Sequence, residues 1–181
     1  MDSQVELQYL ARKEAMDKTE LHHLMTAYGD DVRRYAYAIT KNREQAKDIT
    51  QETFLKAYRS FGSFKGRSSL KTWLFSIARN AAINEMKSSY MRRIVLFEWV
   101  KPRGVGESAE TAYLEEQSVR EIREALMSLS MKLREVLLVS LEHGLTMPEI
   151  AELLNVSEGT VKSRLHRARQ AMERKRKEME R

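Results

Sequence analysis

The stretch LTMPEIAELLNVSEGTVKSRLHRARQAM, Leu145 to Met172, decides the reading of the chain. Thr146 and Glu149 form a T-x-x-E capping box, which satisfies free N–H groups where a helix starts. Pro148 falls in the first turn, where its missing N–H costs little. Ile150, Leu153 and Leu154 supply one apolar face. Asn155-Val156-Ser157 reads as a short turn, and Ser157 as the N-cap of a second helix. In that helix Val161, Leu165, Ala168 and Met172 recur at i, i+4, i+7 and i+11, the spacing of a core stripe. Opposite the stripe fall Gly159, Ser163, His166, Arg167 and Gln170, with Lys162 and Arg169 on one flank and Arg164 on the other. That face is small at its N-terminal end, then polar and basic. It offers donors for base edges and cations for phosphates, as a helix in a DNA major groove must. Two helices joined by a three-residue turn match a helix-turn-helix. The plainer alternative is a helical hairpin with a basic outer face.

The rest of the chain is built from the same material. Its 181 residues include 7 Gly, 2 Pro and no Cys. Few turn residues disfavour a many-stranded fold, and the absence of Cys excludes disulfides and thiolate metal sites. Good helix formers dominate, so an all-α fold is expected. The longest apolar run, Ile94 to Phe97, is far shorter than the roughly 20 residues of a membrane span. The N-terminus lacks a basic and then apolar leader. A cytoplasmic, unprocessed chain with no membrane insertion is the expectation.

The net charge of +6 is unevenly spread. Residues 1–55 carry a net −2, residues 56–93 a net +8, residues 94–161 a net −6 and residues 162–181 a net +6. Two basic blocks around an acidic one suggest two contacts with one polyanion. The tail from Arg174 to Lys177 also reads as a solvated helix end.

From Glu20 to Met91 the pattern is helical, with expected breaks at Gly29-Asp30-Asp31 and Lys41-Asn42 and a loop from Phe61 to Ser69. Phe97 to Glu110, with Pro102, Gly104 and Gly106, reads as a linker. Within DITQETFLKAYRSF, Asp48 to Phe61, one side carries Thr53, Phe54, Ala57 and Phe61. The other carries Asp48, Gln51, Glu52, Leu55 and Arg59, which suits docking of a basic protein helix or, more plainly, solvent. In LKTWLFSIARNAAINEMK, Leu70 to Lys87, the expected buried stripe is Leu70, Trp73, Leu74, Ile77 and Ala81. Ser76, Asn80, Ile83 and Lys87 lie beside it, with Arg79. The preceding loop carries Phe64, Lys65 and Arg67. Rings beside cations suit single-stranded nucleic acid, because unstacked bases stack on them. Trp73 and Phe75 also read as ordinary core.

Three segments, DITQETFLKAYRSF, FKGRSSLKTWLFSIARN and EIAELLNVSEGTVKSRLHRAR, together resemble bacterial sigma factors of the sigma-70 family, of the extracytoplasmic-function (ECF) type. The resemblance runs from about Val5 to Met172. It implies two small helical domains, a region 2-like domain over residues 1–96 and a region 4-like one over 119–181, joined by a linker over 97–118. It implies that the face of Asp48, Gln51 and Glu52, which Leu55 and Arg59 share, binds core RNA polymerase through its β′ clamp helices, with the β subunit also a partner. It assigns the −10 promoter element, melted to single strands, to Phe64, Lys65, Arg67, Ser76, Arg79, Asn80, Asn84 and Lys87. Asn80 would hold a flipped base. It assigns the −35 duplex to Lys162, Ser163, His166 and Arg167, and the face opposite the core stripe adds Gly159 and Gln170. An anti-sigma protein is implied as inhibitor, and no cofactor or metal. The chain departs from the family pattern at Leu129-Ser130, where Leu-Pro is frequent, and at Ser140 to Gly144.

Two other classes compete. A polymerase-independent helix-turn-helix regulator with a helical sensor domain would need a dimer and a palindrome, and has no use for the +8 block. An enzyme would need clustered ligands. His22 and His23 point to different sides of a helix, Asp30-Asp31 reads as a turn or cap, and no H-E-x-x-H or phosphate-cradling loop is present.

Overall fold

The structure is a computed structural model that describes residues 15–96, 117–141 and 145–179. The linker over 97–110 and the stretch Glu142 to Gly144 lie outside the described residues. Every regular element among the described residues is helical.

Helix α1, Lys18–Thr40, starts at Asp17, whose carboxylate accepts from Glu20 N–H at 2.8 Å while Glu20 accepts from Asp17 N–H at 2.9 Å. It ends at Lys41, in the left-handed region at φ 56°. Asn42 then caps α2, Arg43–Arg59, through Gln45 N–H at 3.0 Å. The break at Lys41-Asn42 is where the sequence put it. The break at Gly29-Asp30-Asp31 is not: α1 runs straight through. Buried Leu24 on one side and Val32, Tyr35, Ala36 and Ile39 on the other hold the helix across the weak residue. Asp30 pairs with Arg33 at 2.9 Å, one turn on, and Asp31 with Lys71 at 2.8 Å. A Cβ at Gly29 would meet nothing within 4 Å. Gly29→Ala is therefore expected to stabilise the fold by about 0.5–1 kcal/mol, read as a raised urea midpoint at unchanged m-value.

After α2 a single 3-10 turn, Phe61–Ser63, leads into the loop, where Gly66 adopts a left-handed φ of 64°. Ser69 accepts from Thr72 N–H at 3.1 Å at the start of α3, Leu70–Leu96. Phe61, Phe64 and Trp73 pack ring on ring, with centroids 5.3–6.1 Å apart.

The buried face of α3 differs from the expected stripe. Leu74, Phe75, Ala78, Ala81 and Ala82 are buried, while Leu70, Trp73 and Ile77 are half-buried. The helix packs on α1 and α2 together, and Phe75 stacks on buried Tyr35 at 4.8 Å. That stack turns the helix so that Phe75, not Trp73, points inward.

The second half comprises α4, Gln117–Ser128; α5, Met131–Leu141; α6, Met147–Leu154; and α7, Glu158–Met179. Val136, Val139, Ile150, Leu153, Leu154, Val161, Leu165 and Ala168 form its core. The first half and the second are in contact, α5 against α1 and α6 against α3. One apolar cluster runs through both, a contact that reading two bundles from the sequence did not anticipate.

Candidate nucleic-acid and protein-binding faces

The helix-turn-helix forms as the sequence requires. Thr146 N–H donates to Glu149 Oε2 at 2.9 Å and Glu149 N–H to Thr146 Oγ1 at 3.4 Å, closing the capping box. Asn155 ends α6 in the left-handed region at φ 53°, and Thr160 N–H donates to Ser157 Oγ at 3.2 Å. Val161, Leu165 and Ala168 are buried and Met172 is half-buried. Their seating turns the opposite face outward: Gly159, Lys162, His166, Arg167 and Gln170 are all exposed. Ser163 is half-buried, its hydroxyl donating to Thr160 O at 3.0 Å. Further along α7 some of the cations are paired with acids. Lys175 pairs with Glu178 and Arg176 with Glu173, each at 2.9 Å. The hydrogen bond and charge of Arg176, helped by Lys177, hold the Glu173 carboxyl below its usual range.

On α2, Thr53, Phe54 and Ala57 are buried, and Asp48, Gln51, Glu52, Leu55 and Arg59 are all exposed on the other side. Leu55 is 52% exposed, an apolar centre among charges. Glu52 holds Lys56 at 2.6 Å.

The loop and α3 carry a third face. Lys65, Arg67, Asn80, Asn84 and Lys87 are exposed, and Ser76 and Arg79 half-buried. Phe64 is not on it. Its ring is 2% exposed, packed against Phe61 and Trp73, so it fastens the loop instead of offering a stacking surface. Burial of the largest apolar ring in the loop outweighs its use at the surface, since fully burying a Phe contributes about 1.5–3 kcal/mol.

Several polar residues of consequence escaped the sequence reading. Glu135 on α5 is 1% exposed and accepts from Tyr35 Oη at 2.9 Å and Arg79 Nε at 2.7 Å. Burial, then the Glu135 carboxylate, pushes the Tyr35 hydroxyl well above its ordinary pKa, so it stays a donor. Arg134 donates to Ala38 O, and to Leu129 O at 2.8 Å. Glu149 also uses its second oxygen, which accepts from Ser69 N–H at 3.0 Å and Thr72 Oγ1 at 2.9 Å. Burial pushes the Glu149 carboxyl up, but the hydrogen bonds from Thr146, Ser69 and Thr72 outweigh it and hold the group below the usual range. The stability it adds is present at neutral pH and lost only as pH falls through that lowered value. The one local signal was a charged pair, Arg134-Glu135, inside the apolar run of α5. No helix of the described residues is long and apolar enough to cross a membrane.

Two protein-family models match the chain: Sigma-70 region 2 over residues 24–92, and Sigma-70, region 4 over residues 119–172. The first covers the helices that carry the α2 and α3 faces, and the second the helix-turn-helix. The chain is 30% identical over 175 residues to the RNA polymerase sigma-H factor of Pseudomonas aeruginosa, covering 92% of this chain and 91% of that protein. It is 32% identical over 149 residues to the ECF RNA polymerase sigma factor SigX of Bacillus subtilis, covering 80% and 77%. Among solved structures, the sigma factor RpoE from Bartonella quintana, crystallised in complex with the anti-sigma factor NepR, superposes with a TM-score of 0.72. It is 25% identical, covering 88% of this chain and 98% of that one. Matched in both halves, in order, and over most of its length, this chain belongs to the sigma-70 family of RNA polymerase sigma factors, with those of the ECF type.

Proposed function

We propose that the three exposed faces divide the work of promoter-specific initiation among them. Asp48, Gln51, Glu52, Leu55 and Arg59 on α2 grip core polymerase at its β′ clamp helices. Lys65, Arg67, Ser76, Arg79, Asn80, Asn84 and Lys87 take the melted −10 strand. Gly159, Lys162, Ser163, His166, Arg167 and Gln170 read the −35 duplex. Residues up to 96 and from 119 onward act as two DNA-reading domains on this reading, with 97–118 joining them. The chain itself performs no covalent step, polymerase supplies the chemistry, and the site of action is the cytoplasm, where core polymerase works. An anti-sigma protein is its inhibitor, by analogy with the Bartonella quintana relative.

The observation that supports this most is the clean outward presentation of the α7 face over a fully buried Val161, Leu165 and Ala168 stripe. Each element alone binds weakly. Tethering both contacts to one polymerase raises the effective concentration of the second. Basic contacts make duplex affinity fall with salt, at a log–log slope of about −0.9 per phosphate neutralised. Extruding bases costs a few kcal/mol each, which the −10 face must recover.

The test is core-dependent run-off transcription from promoters mapped with the purified holoenzyme on genomic DNA. Arg167→Ala is expected to lower initiation about 10–100-fold, the worth of one good base contact, with protection lost at −35 and polymerase capture unchanged. Failure of the wild-type chain to direct any core-dependent transcript would overturn the proposal.

A further inference from the structure

Where α6 meets α3 there is a cleft of about 340 Å³, within the range of roughly 300–1,000 Å³ that small organic ligands occupy. α3 lines it with Trp73, Arg79 and Asn80, the end of α6 with Glu152 and Asn155, and the loop before α3 with Ser68. Its polar groups are left open. The side chains of Ser68, Asn80, Glu152 and Asn155 make no hydrogen bond or ion pair to the described residues, and neither does the Trp73 indole N–H. Arg79 uses only Nε, on Glu135 at 2.7 Å, so its two terminal nitrogens have no partner among the described residues. Thr72 on the same surface is the contrast: its hydroxyl is held by Ser69 at 2.8 Å and by Glu149 at 2.9 Å. Open donors and acceptors converging on one concave surface, beside an aromatic ring, are the make-up of a small-ligand site.

Charge decides the class of ligand. The cleft has one cation, Arg79, which Glu135 already neutralises. Glu152 is unpaired, and the Glu149 carboxylate stands next to the cleft on Thr72. A phosphate would meet more acids than bases here, so an anionic ligand is disfavoured. What the cleft offers instead is a carboxylate that only accepts and a guanidinium that only donates, with two amides that do both and an indole ring. A flat, neutral heterocycle with a donor edge and an acceptor edge fits that set. Guanine has both: N1–H and the 2-amino group donate, and O6 and N7 accept. A guanidinium binds O6 and N7 together, a carboxylate accepts from the donor edge, and the ring stacks on an aromatic side chain. Adenine presents the wrong pattern, with an amino group where guanine has O6 and no N1–H.

We propose that this cleft binds a free guanine base or nucleoside, with Arg79 on the acceptor edge, Glu152 on the donor edge and the ring against Trp73. Asn80 and Asn155 serve the remaining polar atoms of base and sugar. Glu152 and Asn155 belong to the helix-turn-helix and to none of the proposed DNA contacts, which separates this site from the −10 face. Arg79 and Asn80 belong to both. Resting on the proposed function, guanosine and the −10 single strand therefore exclude each other, and the ligand lowers promoter opening as its concentration rises.

The test follows the indole N–H resonance of Trp73 in the full chain carrying Trp99→Phe, which leaves one Trp of the two. Guanosine is expected to shift that resonance saturably, with a dissociation constant on the order of 100 μM, as suits a ligand of this size. Adenosine, and 7-deazaguanosine, which lacks the N7 acceptor, should each bind about tenfold more weakly or worse. Glu152→Gln, an exposed change, should weaken guanosine about 10–100-fold, the worth of hydrogen bonds to a charged group. Asn155→Gly removes the amide, keeps the left-handed φ of 53° without strain, and carries the test if Glu152→Gln fails to fold. Neither variant should change affinity for a single-stranded oligonucleotide of the mapped −10 sequence, while guanosine should displace that oligonucleotide from the wild type. No saturable shift at about 1 mM guanosine, roughly ten times that constant, would overturn the site. So would equal shifts from guanosine and adenosine, or folded variants that bind guanosine like the wild type. A loss of oligonucleotide affinity equal to the loss for guanosine in Glu152→Gln would make the cleft a strand site and overturn the free-ligand reading. The guanosine titration involves neither polymerase nor promoter, so it stands even where no core-dependent transcript forms and the functional reading fails.

Discussion

Asp48→Arg combined with Glu52→Arg is expected to abolish stoichiometric capture of core RNA polymerase, by at least two orders of magnitude in affinity. Both carboxylates are exposed on one side of α2, with Leu55 exposed on the same side. A basic helix docked there would lose two attractions and meet two repulsions. Truncating one partner of a desolvated charge pair already costs about 2–5 kcal/mol, and two reversals exceed the roughly 2.7 kcal/mol that a hundredfold loss requires. The fold should barely notice. Exposed substitutions away from caps and core fall within about 0.5 kcal/mol, and the Glu52–Lys56 pair that is removed contributes only about 0.3–0.5 kcal/mol. The variant should therefore melt like the wild type and still bind −35 duplex through α7. Co-purification with core polymerase in moderate salt reads the first part and a fluorescence titration with duplex the second. Capture that survives the double reversal would move the polymerase contact off this face.

The parts of the fold legible in the sequence are those fixed within one or two helix turns. The capping box at Thr146, the turn at Asn155 and the outward face of α7 each follow from residues no more than a few positions apart. So do the exposed side of α2 and the chain reversal at Lys41-Asn42. What failed depends on which neighbour covers a helix. Gly29 resembles a break until the flanking apolar residues are seen to be gripped by α2 and α3. Phe64 resembles a stacking platform until Phe61 and Trp73 close over it. The rotation of α3 is set by Tyr35, 40 positions before Phe75. Charge counting overstated the DNA-facing surface for the same reason. Lys71 and Arg79 both count toward the +8 block, yet one faces Asp31 and the other Glu135. The bond from Tyr35 to Glu135 spans 100 positions, and helical periodicity carries no record of a contact at that range.

Phe75→Ala is expected to be the most damaging single substitution in the first half. The ring is fully buried, stacked on Tyr35 at 4.8 Å and 15°. Its removal forfeits burial, leaves a cavity and ends the stack, together about 3–5 kcal/mol, of which the stack accounts for about 0.5–1.5. That is a large share of the roughly 5–15 kcal/mol by which a domain is stable. The midpoint of thermal unfolding should fall by roughly 6–20 °C. Phe75→Leu keeps more of the volume and should cost less, which separates the cavity from a general intolerance at the site. The consequence extends past stability, because Phe75 sets the rotation of α3. Ser76 and Asn80 follow it by one and five residues, and Asn84 and Lys87 by nine and twelve. If Phe75 leaves its seat on Tyr35, the whole polar row turns with the helix. Below its melting temperature, Phe75→Ala should therefore lose promoter opening more than polymerase capture, because α2 presents its face through its own buried residues, Thr53, Phe54 and Ala57. Permanganate reactivity of thymines at −10, set against co-purification with core polymerase, measures the two separately. Equal losses of both at a temperature where the variant is folded would mean that α3 does not orient the −10 face independently of α2.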